Sequence, residues 1–265
     1  MTINPNELIL ERIRAVEEYD PSTKELTGRY TQIEDPSLSF SAEGTEVLDA
    51  MGSTIYTIYK GQKGTFNFTN SLFSLDLAAS QFGSSKVVAD DKNPIIVPVS
   101  EILPINADHT VTLKYTPVGT EGAEIKYVKV LNSDNTFGAT YEISTTAGEG
   151  KFTLDAENRK ITLPEGAEGR VFVNYNKEST SGVSVTKRAD GVPEVKTLLI
   201  HAIFHDVCDT NKVLAGTIVC HKAQIDPSSV ELTLTAEGKH GASYILQKDY
   251  CGTDERLVDI IVTED

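Results

Sequence analysis

The hydrophobic positions between residues 38 and 83 change their period once, and that change marks the best-organised stretch of the chain. Leu38, Phe40 and Ala42 alternate with serines and Glu43, the period of a half-buried strand. Residues 55–59 are β-branched and aromatic, and Phe66 and Phe68 alternate with Thr65, Asn67 and Thr69. Residues 60–64 lie between these runs and hold two glycines, which predicts a hairpin loop. Beyond Thr69, the residues Leu72, Leu75, Ala79 and Phe82 fall on one helical face, widened by Phe73 and Leu77. A short helix over 71–82 follows, capped by Asn70 or Ser71 and ended by Gly83. Three turns do not stand alone in water, so this helix should pack on the sheet face bearing Phe66 and Phe68.

Period-two patterning dominates elsewhere. Residues 7–19 carry marks of both helix and strand; the Asp20-Pro21-Ser22 turn and the extended run 26–33 after it favour strand–turn–strand. Residues 84–100 look like a connector, with Asp90-Asp91-Lys92-Asn93-Pro94 at its tip. Strands are expected at 110–115, 125–131, 139–143, 151–154, 160–163 and 170–175, separated by Gly, Pro, Asn and Asp turns. Residues 179–193 form a second polar connector. The runs 198–207 and 214–220 are almost continuously apolar, which predicts central strands covered on both faces; 229–235 and 256–262 alternate more cleanly. The fold class is therefore mainly β, a sandwich or barrel with one short flanking helix. Its core is expected from 1–100 and 190–265, with an inserted or elaborated β region at 101–189.

Length and charge narrow the classes of function. A chain of 265 residues buries about 70% of its surface on folding and needs no disulfide or metal to hold it. The net charge of −15 is spread evenly, at −2, −4, −4 and −5 over residues 1–29, 30–100, 101–195 and 196–265. Such a surface repels nucleic acid and anionic membranes. No apolar run approaches a membrane span, so membrane insertion is not expected, and the N-terminus lacks the features of a signal peptide. The three cysteines Cys208, Cys220 and Cys251 cannot all pair within the chain, and reduced thiols in a cytoplasmic setting are the simplest reading, with a Cys208–Cys220 bridge as the oxidised alternative.

Candidate chemistry is sparse. His201, His205, Cys208, Cys220 and His221 are the best metal-ligand set, but on a strand His201 and His205 lie on one face roughly 13 Å apart, too far to share an ion at zinc-ligand distances. A thiol nucleophile could be drawn from Cys208 with His205 or Cys251 with His240, yet neither pair sits at a strained elbow or a helix N-terminus. Phosphate-cradling and nucleophile-elbow glycine motifs are absent. The chain has no tryptophan, which disfavours a sugar-binding or sugar-cleaving groove. No catalytic residue, cofactor or metal is assigned.

The segment 38–83 resembles the corresponding stretch of bacteriophage tail tube proteins. The resemblance rests on the acidic Glu43-Gly44-Thr45-Glu46-Val47 bend, on Asp49-Ala50-Met51-Gly52 leading into the 54–59 strand, on the 60–64 hairpin, and on the helix ending Gln81-Phe82-Gly83. The stretch from Leu198 through Asp249-Tyr250-Cys251 looks like the closing strands of the same proteins. The resemblance covers about half the chain and implies a virion structural protein without catalysis. Six subunits would close a ring through a continuous inner β-barrel, and rings would stack into a tail tube for DNA ejection. Its partners would be itself, other tail proteins such as tape measure, sheath or terminator, and DNA in transit; it would be assembled in the host cytoplasm. The 43–53 loop, with Glu43, Glu46, Asp49 and Met51, is expected to reach a neighbouring ring. Phe66, Phe68, Leu72, Leu75 and Phe82 are expected in the core. The alternative is a monomeric or trimeric capsid decoration or host-adhesion module, with Tyr56, Tyr59 and Tyr127 as contact residues.

Overall fold

The computed structural model describes residues 6–232, 235, 238–250 and 255–264. From the N-terminus come β1 (Leu8–Tyr19), β2 (Leu26–Tyr30), β3 (Ile33–Leu48), β4 (Thr54–Asn70) and α1 (Leu75–Phe82). The middle of the chain forms β5 (Val87–Val88), β6 (Ile95–Pro104), β7 (Thr110–Thr112), β8 (Tyr127–Leu131), β9 (Phe137–Ile143), β10 (Lys151–Asp155), β11 (Lys160–Thr162), β12 (Arg170–Ser179) and β13 (Val183–Ser184). The last part adds β14 (Val195–Asp206), β15 (Val213–Ile225), β16 (His240–Leu246) and β17 (Val258–Thr263). The protein is mainly β with one short helix. It divides into two compact units: one from the chain up to Lys86 and from Val185 onward, the other from Val87–Ser184.

In the first unit the strands run β2-β1-β14-β15-β16-β4-β3, with β17 also on β15. A flat sheet would hold β2 and β4 roughly 24 Å apart. Instead the rings of Tyr30 and Phe68 lie 5.6 Å apart, centroid to centroid. The sheet therefore curls into a half-barrel, and its concave face is the core. Phe66, Phe68 and Tyr244 cluster there with Leu198, Ile200, Cys220 and Leu77 of α1. The histidine-bearing face of β14 is half-buried, alternating with the buried positions. The strand is central, but only one of its faces is fully covered, so the expected two-sided burial of 198–207 does not hold; the apolar run reflects a semi-covered outer face.

The helix starts later than its periodicity predicts. Ser74 is the N-cap, accepting the Leu77 N–H at 3.2 Å. Asn70 ends β4 instead, and its amide donates to the Leu72 carbonyl at 2.7 Å. Starting at Leu75 turns Leu77, Ala78, Ala79 and Gln81 inward. Leu72 and Leu75 consequently stay exposed, Phe82 is half-buried, and only Phe66 and Phe68 of the five residues expected in the core are fully buried. Gly83 closes the helix in the left-handed region at φ 61°, where an added Cβ would sit 2.1 Å from the Val192 carbonyl oxygen.

A buried polar cluster ties α1 to the sheet. Glu18, with no exposed surface, accepts hydrogen bonds from the Ser80 hydroxyl at 2.6 Å and from the Tyr244 hydroxyl. Burial outweighs these bonds and pushes the Glu18 pKa upward. His240 is buried on the far side of the helix. Its Nε2–H donates to Gln81 Oε1 at 2.8 Å, and its Nδ1 accepts the Ser74 N–H at 3.3 Å. Phe73 stacks on it with centroids 5.1 Å apart. The region expected as a strand over 229–235 is a 3-10 turn at Pro227–Ser229 followed by irregular chain; Thr233 and Leu234 lie outside the described residues.

The second unit is a seven-stranded sheet in the order β6-β12-β8-β9-β10-β11-β7, with only β9 and β10 parallel. It too curls: the Tyr115 N–H just past β7 donates to the Tyr175 hydroxyl of β12 at 3.1 Å, five strands away in sheet order. Val111, Leu113, Phe152, Ile161, Val171 and Val173 fill its own core. Residues 95–104 are a strand, not part of a connector. Pro94 and Pro98 weaken the sequence signal, but a proline is tolerated on an edge strand, and β6 is at the edge. The expected boundary at 100/101 cuts through β6, which pairs with β12 along its whole length; the division falls at Val87 instead.

Candidate assembly arm

Residues 60–64 do not form a loop. Strand β4 runs unbroken through them, and its partner β3 follows in antiparallel register, with Ala42 opposite Gln62 and Phe40 opposite Gly64. One register shift, between Ala42 and Gly44, takes up the extra residue at Lys60 and Gly61, and pairing resumes with Gly44 opposite Tyr59. The true turn lies at residues 49–53. There the Asp49 carboxylate accepts the Met51 and Ser53 N–H groups at 2.8 Å each, and Gly52 takes φ 85°. Of the four residues expected in a loop, Asp49 builds the turn and Met51 sits at its tip, 92% exposed. Glu43 and Glu46 are strand residues. Glu43 pairs with Lys63 across the ladder at 2.6 Å, and Glu46 accepts from the Thr54 hydroxyl at 3.1 Å.

The distal half of this hairpin stands free of its own unit. No residue from 41 to 63 is buried. Register places Val47 opposite Tyr56 and Thr45 opposite Ile58 on one face, and Gly44 opposite Tyr59 on the other, where Ile55 also points. Tyr59 lies across Gly44, whose added Cβ would come within 3.3 Å of the ring. Both faces thus carry large apolar side chains, with Ile55, Tyr56 and Tyr59 each at least 66% exposed. A hairpin built only to finish its own sheet would show one polar face. A two-stranded ribbon is marginal alone in water, and an apolar surface of this kind marks an interaction site.

The residues weighed as metal ligands are not brought together. His201 and His205 share one face of β14, and each has its own carboxylate, Glu17 at 3.1 Å and Glu11 at 2.7 Å. His221 pairs with Asp259 at 2.9 Å. Cys220 points into the core, where burial pushes its thiol up to about 12; Cys208 is exposed. Cys251 lies outside the described residues, so its pairing with His240 is not placed. Among the described residues no group of three or more His, Cys, Asp or Glu side chains converges on one point. No helix among them is long and apolar enough to cross a membrane.

Comparison with protein families decides the assignment. The YomU/Tube protein family matches residues 9–247, which takes in most of both segments of the first unit and the whole of the second. The chain belongs to the YomU/Tube protein family. No curated protein matches it. The family is one of phage tail tube proteins, as the 38–83 segment indicates, and membership makes this chain a structural component of the virion tail. In this YomU/Tube chain the arm is the feature that pattern reading misplaced: a break in β propensity at two glycines suggests a loop, whereas only the ladder shows that the strand continues.

Proposed function

We propose that this protein builds the tail tube as stacked hexameric rings and performs no catalysis. The free apolar arm supports this reading most strongly, because it needs a surface outside its own subunit. The arm would dock on the adjacent ring, with Met51 leading and Tyr56, Ile58, Ile55 and Tyr59 supplying apolar area on both sides. The open edges of the half-barrel, β2 and β3, are suited to pairing between neighbours in a ring. Six copies at −15 each give a ring a formal charge of −90, and an acidic conduit would let DNA pass without sticking. Further partners on this reading are the tape measure, sheath or terminator proteins, with assembly in the host cytoplasm. Negative-stain microscopy of the purified protein and of the parent particle tests it. Hollow filaments of evenly spaced, six-fold rings are expected; absence of this chain from tail preparations would overturn the proposal.

A further inference from the structure

The second unit carries a further surface, separate in sequence from the arm. Its outward sheet face differs from the arm in texture, because aromatic rings stand among asparagines and charged side chains, with Phe172 edge-on to Phe137 at 5.7 Å. Along β12 the alternate residues Phe172, Asn174 and Asn176 share this face. Phe172 lies opposite Lys129 in β8, and the same register carries Tyr127 alongside Asn174. Tyr127 is 54% exposed. The segment 118–124 forms one wall, held by the Val118 N–H donating to the Asn176 carbonyl at 2.8 Å. Between wall and sheet lies an open groove of about 470 Å³, lined among others by Tyr127, Phe172, Asn174, Asn176, Glu124 and Lys126. That volume is within the range of small-ligand sites.

We propose that this groove binds a saccharide through one or two pyranose rings. A pyranose presents apolar C–H faces and a rim of hydroxyls. The rings of Tyr127 and Phe172 offer stacking surfaces at low conformational cost. The side-chain amides of Asn174 and Asn176 each present both donor and acceptor groups, as hydroxyls require. Asn174 is already oriented, since its amide donates to the Ser100 hydroxyl at 3.1 Å. Glu124 is offset by Lys126 and Lys129, which leaves the lining with a formal charge of +1, so a carboxylated sugar is accommodated as well as a neutral one.

Other occupants fit less well. Nucleic acid is repelled by a chain of charge −15. A peptide strand would add at the edge strand β6, but Pro98 and Pro104 remove ladder donors there. A compact apolar ligand would need an enclosed cavity, and this groove is open. Because tyrosine and phenylalanine replace the absent tryptophan, single-site binding should be weak, and many copies on one particle would gain by avidity.

The test is a glycan array of neutral and carboxylated saccharides probed with the full chain, followed by saturation-transfer NMR with the tightest hit. Wild type is expected to bind a subset of pyranose saccharides at millimolar concentration. Tyr127→Ala should weaken binding at least tenfold and Asn176→Ala severalfold, with unchanged thermal unfolding because both side chains are exposed. Binding only to carboxylated sugars, abolished by Lys126→Ala, would place the specificity at the rim and still support the site. No binding to any member of the array, or binding unaffected by both Tyr127→Ala and Asn176→Ala, would overturn the inference. Loss of tubes is a separate readout, so this result does not depend on the assembly proposal.

Discussion

Removing the arm at its base should abolish tube formation without unfolding the subunit. The ladder itself defines the cut. Excising residues 44–59 leaves Ala42 opposite Gln62 as the last regular pair, with Glu43, Lys60 and Gly61 as a three-residue connection, a common hairpin length. Shorter deletions inside the turn would strand half of β4 without a partner. Seven large apolar side chains go with the excised piece or its tip: Val47, Leu48, Met51, Ile55, Tyr56, Ile58 and Tyr59, each between 42% and 92% exposed. Full burial of such a side chain is worth about 1.5–3 kcal/mol, so re-covering the exposed portion amounts to about 1 kcal/mol each, or ~7 kcal/mol per arm. Association costs about 4–15 kcal/mol in lost freedom, so one arm roughly breaks even. Six arms engaging together meet that cost once, and stacking becomes cooperative. Loss of the arms should therefore eliminate tubes instead of shortening them. Within the subunit nothing buried is removed, and the stability change should stay within about 1 kcal/mol. Electron microscopy and analytical centrifugation read assembly; thermal and denaturant unfolding read the fold. Normal tubes from the excised protein would refute the reasoning, and a loss of several kcal/mol in stability would show that the arm belongs to the core.

Three further outcomes follow from the first unit. Gly83→Ala should cost at least about 2 kcal/mol, since φ 61° is unfavourable for alanine and its Cβ would meet the Val192 backbone; Gly52→Ala, at φ 85° in open space, should cost clearly less, and equal costs by denaturant unfolding would contradict the clash. Glu18→Gln should gain on wild type as pH rises. Burial raises the folded pKa of Glu18, so its contribution is full below the unfolded value of about 4.3 and is lost as pH climbs through the folded one; a pH-independent difference in melting temperature would exclude this. His240 should remain neutral where His205 is already charged, because burial lowers the first and Glu11 raises the second. The His240 contribution to stability is present above about pH 6.5 and falls as pH drops through its folded pKa. Histidine NMR titration checks the order, and the reverse order would refute the roles given to burial at His240 and to Glu11 at His205.

The sequence by itself determined the class of fold, most strand positions and the presence of one helix near residue 75, because alternation and its single break at residues 70–75 are local properties written in neighbouring side chains. It also indicated the tube family, through the ordered run from Leu38 to Gly83, and the burial of Phe66 and Phe68. Tertiary structure decided the rest. Two glycines at 61 and 64 look like a turn until the opposite strand shows pairing on both sides of them, and pairing partners as far apart as Ile33 and Asn70 leave no local trace. Leu72 and Leu75 sit on a plausible helical face, but the position of the Ser74 cap rotates that face away from the core. The edge strand at 95–104 is masked by prolines that only an unpaired edge tolerates. The arm and the groove likewise depend on what fails to cover a residue. A sequence records that Tyr56 and Tyr127 are apolar rings with a polar tip, while burial is a sum over neighbours brought from elsewhere in the chain, and only the folded arrangement fixes that sum.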